Sequence, residues 1–538
     1  MKQIKLKIKL NGVFKEYFVP NNITVLEALE YINKTYNENI QYRASCRAGQ
    51  CGSCAMTINN EPKLACKTKV EHNTTIEPLK NFIVIKDLIV DREQYYKKLN
   101  NIRNYVENEK EIFSGENIQN KEDTINDSEN TENNKIDTLK DKTITAINSA
   151  GDITNIKKIR GCIDCLSCLS KCPAKEFSEY PGPTLMRQIA RFAFDKRDNI
   201  NRCEMAFFEN LPNCTTCGKC VEVCPKEIDI VHNAVEKLRA KAFENGYYLK
   251  EHMEVRKNVL NKNNNNRSII KEKTPLLEEV HNEYIVEHEK MRVAFFTGCL
   301  VDYRLQDVGK SAIKILNAHG ISVIIPKNQI CCGSPFIRTG QTDVANTLKN
   351  HNLNIFNNLE VDAIITVCAG CGSTLKNDYK EKEFKVMDIT EILNKVGLIN
   401  YNPLKDHTKL IGIPTEEHDK KIKITYHDPC HLRRGQGIFV EPRKILRHIP
   451  NLEFIEMELP DQCCGAGGGV RSGKPELASA IGKRKAKMIA DTDADFVITV
   501  CPFCEYHIKD SINKYNKEND IKKDTKVLNI VSLLDKVI

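Results

Sequence analysis

Cys463-Cys464-Gly465 and Cys331-Cys332-Gly333 are adjacent-cysteine doublets in a chain of 538 residues, and their surroundings repeat. Cys299 precedes the first doublet by 31 intervening residues, and Cys368-x2-Cys371 follows it after 35. Around the second, Cys430 lies upstream with 32 residues intervening and Cys501-x2-Cys504 lies downstream with 36 intervening. Two five-cysteine sets with such closely matched spacing form an internal repeat, and a repeat of sulfur ligands is a repeat of metal sites. Short apolar runs stop just before these cysteines: Arg292 to Thr297, Ala363 to Val367, Lys423 to Tyr426 and Phe496 to Val500. Separated by helical stretches (Gly309 to Ala318, Val344 to Asn357, Glu476 to Ala490), they predict parallel strands in α/β layers, with functional groups just beyond the carboxyl ends of the strands. Helix N-termini at those ends favour thiolates. Five thiolates exceed the four a structural zinc needs; zinc with one bystander cysteine is the alternative.

Composition sets the frame for the other cysteines. A chain this long divides into several domains, and 41% hydrophobic with 28% charged residues is the balance of a soluble protein. It contains no apolar run of 18 residues, and its N-terminus alternates Lys with Ile and Leu, so no membrane span and a cytoplasmic location are expected. In a reducing compartment the 23 cysteines read as metal ligands or redox groups before disulfides. The net charge of +8 is spread without a polybasic block, which gives nucleic-acid binding no support. Gly465 to Gly469 follows a doublet and lacks a preceding strand, so it reads as flexible backbone and not as a dinucleotide loop.

Residues 3 to 9 alternate with the period of a half-buried strand, Gly12 turns the chain, and Val13 to Val19 is a second strand. Thr24-Val25-Leu26-Glu27 is a capping box opening a helix through Leu29 and Ile32. This is a β-grasp opening. Cys46-x4-Cys51-x2-Cys54, an Asn59-Asn60 hairpin turn and Cys66 then give the spacing of a plant-type [2Fe–2S] centre, with structural zinc as the alternative. Gly49 and Gly52 suit a loop whose backbone must approach a cluster.

Further along, Cys162-x2-Cys165-x2-Cys168-x3-Cys172-Pro173 and Cys214-x2-Cys217-x2-Cys220-x3-Cys224-Pro225 are two bacterial ferredoxin runs. In such pairs the fourth cysteine serves the other cluster. One [4Fe–4S] centre is therefore expected on Cys162, Cys165, Cys168 and Cys224, the other on Cys214, Cys217, Cys220 and Cys172. Helical periodicity over Pro183 to Ala193 and Ile228 to Phe243 makes this domain mostly α. Of the 23 cysteines only Cys203 is left over, and it reads as a buried thiol.

The plan is multidomain, α+β and α/β: residues 1–92, a β-grasp [2Fe–2S] ferredoxin domain; 93–155, a low-complexity linker, strongly polar from about 107 onward; 156–255, a mostly α-helical 2×[4Fe–4S] domain; 256–290, a hinge; 291–400 and 401–538, two α/β cysteine-rich domains. His427 and His431 flank Cys430, as proton donors, sulfur partners or packing groups. Arg338, Arg433, Arg434 and Arg471 lie near the motifs and are candidates for binding anions or for solvated surface.

Ser45-Cys46-Arg47 through Cys54-Ala55-Met56, Cys66, Ile76-Glu77-Pro78-Leu79 and Val84 to Asp91 resemble the iron–sulfur subunits of succinate dehydrogenases and fumarate reductases. All eight ferredoxin cysteines are present and tryptophan is absent, a departure from that family's three-iron cluster and quinone pocket. The second domain is instead similar to the small subunit of heterodisulfide reductase. Cys331-Cys332-Gly333-Ser334-Pro335, His427-Asp428-Pro429-Cys430-His431-Leu432 and Cys463 to Gly469 resemble the Cys-Cys-Gly (CCG) domains of its catalytic subunits, which are shared with glycolate-oxidase and lactate-utilisation systems. That resemblance implies a noncubane [4Fe–4S] cluster on Cys299, Cys331, Cys332, Cys368 and Cys371, and another on Cys430, Cys463, Cys464, Cys501 and Cys504. The ten cysteines would be catalytic, facing a cavity where the disulfide of coenzymes M and B is cleaved or formed, with cations needed for their sulfonate and phosphate.

The fused order resembles the thiol:fumarate reductases of methanogenic archaea. It implies an oxidoreductase component that oxidises coenzyme M and coenzyme B to their heterodisulfide. Electrons would pass to the flavoprotein component of the fumarate reductase, carrying FAD and pairing as a heterodimer, which reduces fumarate to succinate. The competing expectation is an electron-transfer component of a succinate, glycolate or lactate dehydrogenase feeding a quinone or soluble carrier.

Overall fold

A computed structural model describes residues 3–107, 150–260, 274–404 and 421–538. The chain divides into two compact units. One comprises Met1–Cys172, Pro181–Glu209 and Val223–Leu238; the other comprises Pro173–Tyr180, Asn210–Glu222 and Arg239–Ile538.

In the first unit, β1 (Gln3–Leu10) buries Ile4, Leu6, Ile8 and Leu10 on one face and turns its lysines outward. It pairs antiparallel with β2 (Val13–Pro20). The helix Val25–Thr35 opens with the capping box: Glu27 N–H donates to Thr24 Oγ1 at 3.2 Å and Thr24 N–H donates to Glu27 Oε2 at 2.7 Å. Val25, Leu26, Ala28, Leu29 and Ile32 then face the sheet core. β3 (Ala55–Ile58) and β4 (Glu61–Leu64) form a hairpin whose two turn residues, Asn59 and Asn60, both have positive φ (50° and 64°). That geometry favours asparagine and matches the twist of the strands. With β5 (Thr74–Glu77) the sheet order is β2-β1-β5-β3-β4, and β6 (Val84–Lys86) with β7 (Ile89–Val90) makes a separate small ribbon.

The expected linker starts later than residue 93. Glu93–Asn101 is helical, Tyr95 is buried with its hydroxyl donating to Asp164 Oδ1 at 2.9 Å, and the buried Arg202 donates to the carbonyls of Ile102, Arg103 and Tyr105. Polar composition concealed a segment anchored by one tyrosine and by main-chain oxygens. The helix Ala150–Ile159 enters the linker's far end, and residues 108–149 lie outside the described part. The ferredoxin region is helical as expected (Pro183–Ala193, Arg202–Phe208, Glu236–Glu244), yet its cysteines are shared between the two units.

The second unit holds two sheets of the same topology. β8 (Glu283–Tyr284), β9 (Met291–Phe295), β10 (Ile321–Ile324), β11 (Ala363–Thr366) and β12 (Val386–Asp388) are ordered β12-β11-β9-β10-β8. β13 (Ile422–Tyr426), β14 (Leu452–Phe454), β15 (Phe496–Thr499) and β16 (Lys526–Asn529) are ordered β14-β13-β15-β16, which is the first sheet without its edge strand. Every pair is parallel except β8 with β10. Fully buried β11 and β15 explain the unalternated apolar runs in the sequence. A single apolar core runs through both sheets.

The expected hinge also needs correction. Lys250–Leu260 is a helix, Leu276 and Leu277 are buried in that core, and β8 extends the first sheet. Gly309 makes room for Leu276, whose Cδ2 lies 2.1 Å from where a Cβ would stand. Among the described residues no helix is long and apolar enough to cross a membrane.

Candidate metal centres and a shared cavity

The loop Cys46 to Cys54 is folded around its own sulfurs. Cys46 Sγ accepts the backbone N–H groups of Ala48 (3.4 Å), Gln50 (3.2 Å) and Cys51 (3.3 Å), and Cys51 Sγ accepts that of Cys46 (3.5 Å). Positive φ at Arg47, Gly49 and Gly52 turns these amides inward. Hydrogen bonds from Ser53 and from the Cys46 amide bring the Cys51 thiol down to about 6, whereas burial pushes the Cys54 thiol up to about 11. Such an amide cradle holds thiolates for a cluster, and fits the expected [2Fe–2S] group. Gly52 has no room for a side chain: Ile163 O and Cys165 Cβ lie 2.6 and 2.8 Å from the position of a Cβ. The loop therefore abuts the first ferredoxin run, and Lys226 adds a 2.9 Å bond to Gln50.

In that run, Cys162, Cys165, Cys168 and Cys224 line one small cavity with Thr184, Ile228 and Ile230. Burial raises Cys168 well above the usual thiol range, and the charges of Cys165, Cys162 and Cys224 add to it. Buried sulfurs that raise one another call for a cationic centre, which deprotonates its ligands. The structure thus brings together the set with the crossed fourth cysteine. Cys172 belongs to the first unit, and Cys214, Cys217 and Cys220 to the second. Cys203 is buried in the helix Arg202–Phe208.

The doublet cysteines stand where the sheets end. Cys368 and Cys501 cap the helices Ala369–Asn377 and Pro502–Glu518 after β11 and β15, Cys430 opens Cys430–Gln436 after β13, and Cys299 lies in Gly298–Tyr303 after β9. Gly333 and Gly465, at φ 82° and 99°, turn the chain beyond each doublet. Within the first set Cys299 and Cys331, Cys331 and Cys332, Cys332 and Cys371, and Cys371 and Cys368 lie close enough for one thiol to shift the other. In the second, Cys463 packs against Cys430, Cys464 Sγ lies 3.6 Å from Cys504 Sγ, and Cys501 shifts the thiol of Cys504. Cys331 and Cys371 bring the Cys332 thiol down to about 6, while Cys299, Cys368, Cys371 and Cys504 are pushed well up. Buried thiols so crowded fit a metal cluster in each set.

Both sets open on one cavity of about 400 Å³. The first contributes Cys299, Cys332, Cys368 and Cys371; the second contributes Cys430, Cys464, Cys501 and Cys504. Cys331 is not in the lining, and neither is Cys463, which instead packs with Cys217 and Cys430. The second ferredoxin run thereby meets the second doublet. Arg239 locks that junction, donating to the carbonyls of Leu211, Cys214, Arg338 and Gly468. The glycine run serves close approach: Thr215 O and Cys214 O lie 2.6 and 2.3 Å from where Cβ atoms of Gly467 and Gly468 would stand.

Of the four arginines singled out in the sequence, Arg338 and Arg471 line the cavity. Arg338 pairs with Asp378 at 3.2 Å, and Arg471 with Asp510 and His507. Arg433 and Arg434 do not line it: Arg433 pairs with Asp428, and Arg434 is buried on Asp461 and Glu222. Sequence reasoning missed Arg304, five residues beyond Cys299, which lines the cavity with no carboxylate partner among the described residues. Its guanidinium and that of Arg471 lie 5.3 and 4.4 Å from the ring of Tyr506, two residues beyond Cys504. His431 also lines the cavity, with Nδ1 3.4 Å from Cys430 Sγ, whereas His427 does not.

Comparison with known proteins assigns residues 3–97 to a 2Fe-2S iron-sulfur cluster binding domain, 158–228 to a 4Fe-4S dicluster domain, and 293–376 and 424–509 to a cysteine-rich domain called CCG. The chain is 64% identical to an uncharacterized iron-sulfur protein of Methanococcus maripaludis, over the full length of both. It is 44% identical to one subunit of the fumarate reductase (CoM/CoB) of Methanothermobacter marburgensis, covering 97% of this chain and 95% of that one. Identity is 30% to one subunit of the dihydromethanophenazine:CoB–CoM heterodisulfide reductase of Methanosarcina acetivorans, over 74% of this chain and 97% of that protein.

Proposed function

Because the chain belongs to the family of that fumarate reductase (CoM/CoB) subunit, we propose that it oxidises the thiols CoM and CoB to their heterodisulfide and delivers the two electrons to a flavoprotein partner that reduces fumarate to succinate. The observation that carries this reading is the single cavity lined by four cysteines of each doublet set.

The cysteine assignments follow. Cys46, Cys51, Cys54 and Cys66 would hold a [2Fe–2S] cluster. Cys162, Cys165, Cys168 and Cys224 would hold one cubane [4Fe–4S] cluster, and Cys214, Cys217, Cys220 and Cys172 another. Each doublet set would hold a noncubane [4Fe–4S] cluster. When bound, these groups supply one-electron carriage between two reactions that each involve an electron pair.

The chain's own residues bind and orient the thiols. Arg304 and Arg471 at Tyr506 offer cations to anionic ends of the substrates, and Leu300, Phe336 and Phe503 make the lining apolar, which limits water. His431 stands at the cavity wall beside Cys430, placed to accept a proton as a substrate thiol ionises. Two thiols yield one disulfide, two protons and two electrons, and fumarate takes up the same number of each. Anaerobic assay of the chain with its flavoprotein partner is expected to show fumarate-dependent loss of both thiols; turnover with a quinol alone would overturn the reading.

A further inference from the structure

His427 stands in the second repeat where Phe296 stands in the first. Each follows the first parallel strand of its sheet and precedes the upstream cysteine, Cys430 or Cys299, by three positions. Each donates its backbone N–H to the third residue of the neighbouring strand: Phe296 to Ile365 O at 2.8 Å, His427 to Ile498 O at 2.9 Å. Both are buried, at 0% and 1% exposure. Phe296 packs in an apolar cluster with Cys332 and Cys371. At the matching place His427 faces Cys464 and Cys504, and one ring nitrogen and the two sulfurs all lie within 4.8 Å of one another.

The two positions share a backbone setting and differ in side-chain chemistry. Phenylalanine has no donor, whereas imidazole carries an N–H. Neither ring nitrogen of His427 has a hydrogen-bond partner among the described residues, although both are buried, and a buried donor left unpaired is costly. The sulfurs of Cys464 and Cys504, within 4.8 Å, are the acceptors placed beside the ring. The neighbouring His507 is already committed, through Nε2 to Ala478 O at 3.2 Å and through Nδ1 to Arg471.

We propose that His427 donates its ring N–H to the cysteine sulfurs of the second doublet set and thereby holds that centre at a higher reduction potential than the first, where Phe296 offers no donor. An N–H aimed at a metal-bound thiolate stabilises the additional negative charge of the reduced state. Position gives this asymmetry a use. Cys463 of the same set packs against Cys217 of the ferredoxin run, so the centre of higher potential is the one beside the outlet, and an electron entering from the first centre moves downhill. His427 is thus a positioning residue for charge, and it makes two repeated centres unequal.

The inference rests on the reading that the second cysteine set holds an iron–sulfur centre, which iron analysis decides separately. A dithionite titration of the iron-loaded full chain, followed by EPR without any thiol substrate, reads the midpoints. The two doublet centres are expected to titrate apart. His427→Phe is expected to move one midpoint down toward the other, and His427→Gln, which keeps a side-chain N–H, to retain most of the gap. Phe296→His adds a donor to the first centre and is expected to raise its midpoint. This second variant decides the matter should His427→Phe lose iron. Unmoved midpoints in Phe296→His, or in an iron-replete His427→Phe, overturn the proposal. So does a strongly coupled, iron-bound histidine nitrogen in ¹⁵N-labelled protein.

Discussion

Cys368 and Cys501 line the same cavity, each shifts the other's thiol pKa, and they are the same residue of the repeat, each two positions past a fully buried strand and at the N-cap of the helix that follows. The two cysteine sets are joined at equivalent points, so whatever enters the cavity meets both. On the proposed function, separate ligand sets with a joint wall would give a divisible metal content with an indivisible activity.

The iron-loaded chain is expected to carry about 18 Fe, and Cys332→Ala about 14. Thiol oxidation should disappear in that variant while the [2Fe–2S] signal from the Cys46 loop persists. Iron analysis with EPR on the same preparation measures both.

Arg304 is the cavity cation that no carboxylate neutralises among the described residues. Arg304→Ala is expected to raise the KM for an anionic thiol about tenfold, equivalent to about 1.4 kcal/mol of binding, with kcat within about twofold. Steady-state kinetics against each thiol separately would show which substrate the residue serves.

Arg434 should behave in the opposite way. Its side chain is 8% exposed and holds Asp461 and Glu222. Burial pushes the Asp461 carboxyl up, but Arg434, Lys219 and Arg433 outweigh it and leave it down at about 2. Arg434→Ala is expected to cost about 2–4 kcal/mol of stability by stranding that carboxylate, with the KM for thiols unchanged. Denaturation and kinetics on one preparation separate the two effects.

Asp388 provides a pH test away from the cysteines. Its Oδ1 accepts from Thr390 N–H at 2.9 Å, its Oδ2 is buried without a partner, and burial raises the carboxyl to about 7. The folded state holds this proton more tightly than the unfolded chain, where the pKa is about 3.9. Stability therefore falls as pH rises from about 4 to about 7, and the deficit is constant above that. Asp388→Asn keeps the Oδ1 acceptor and removes the charge. Its melting temperature should exceed that of the parent at pH 8 and approach it at pH 5.

The cysteine words were legible because ligands to one group must lie close along the chain or recur on a repeated fold, and the alternating β1 and the Thr24 capping box follow local rules. Tyr95 and the Leu276-Leu277 pair were not legible: each is a small anchor in a polar stretch, and what holds it is a partner distant in sequence, Asp164 in one case and the core beside Gly309 in the other. Arg433 and Arg434 looked like substrate cations from proximity in sequence, but the helix Cys430–Gln436 carries them to Asp428 and Asp461.

By itself, then, the order of residues determined the class of each domain and the grouping of the cysteines by spacing, because sulfur spacing and strand periodicity are one-dimensional properties. Only the tertiary structure decided that Cys368 meets Cys501 and that both sets share one cavity. It also decided that Cys463 reaches Cys217, and that His427 faces sulfurs where Phe296 merely fills space. Those relationships depend on how parallel sheets bring the ends of non-adjacent strands together, and no local pattern in the chain encodes a distance between them.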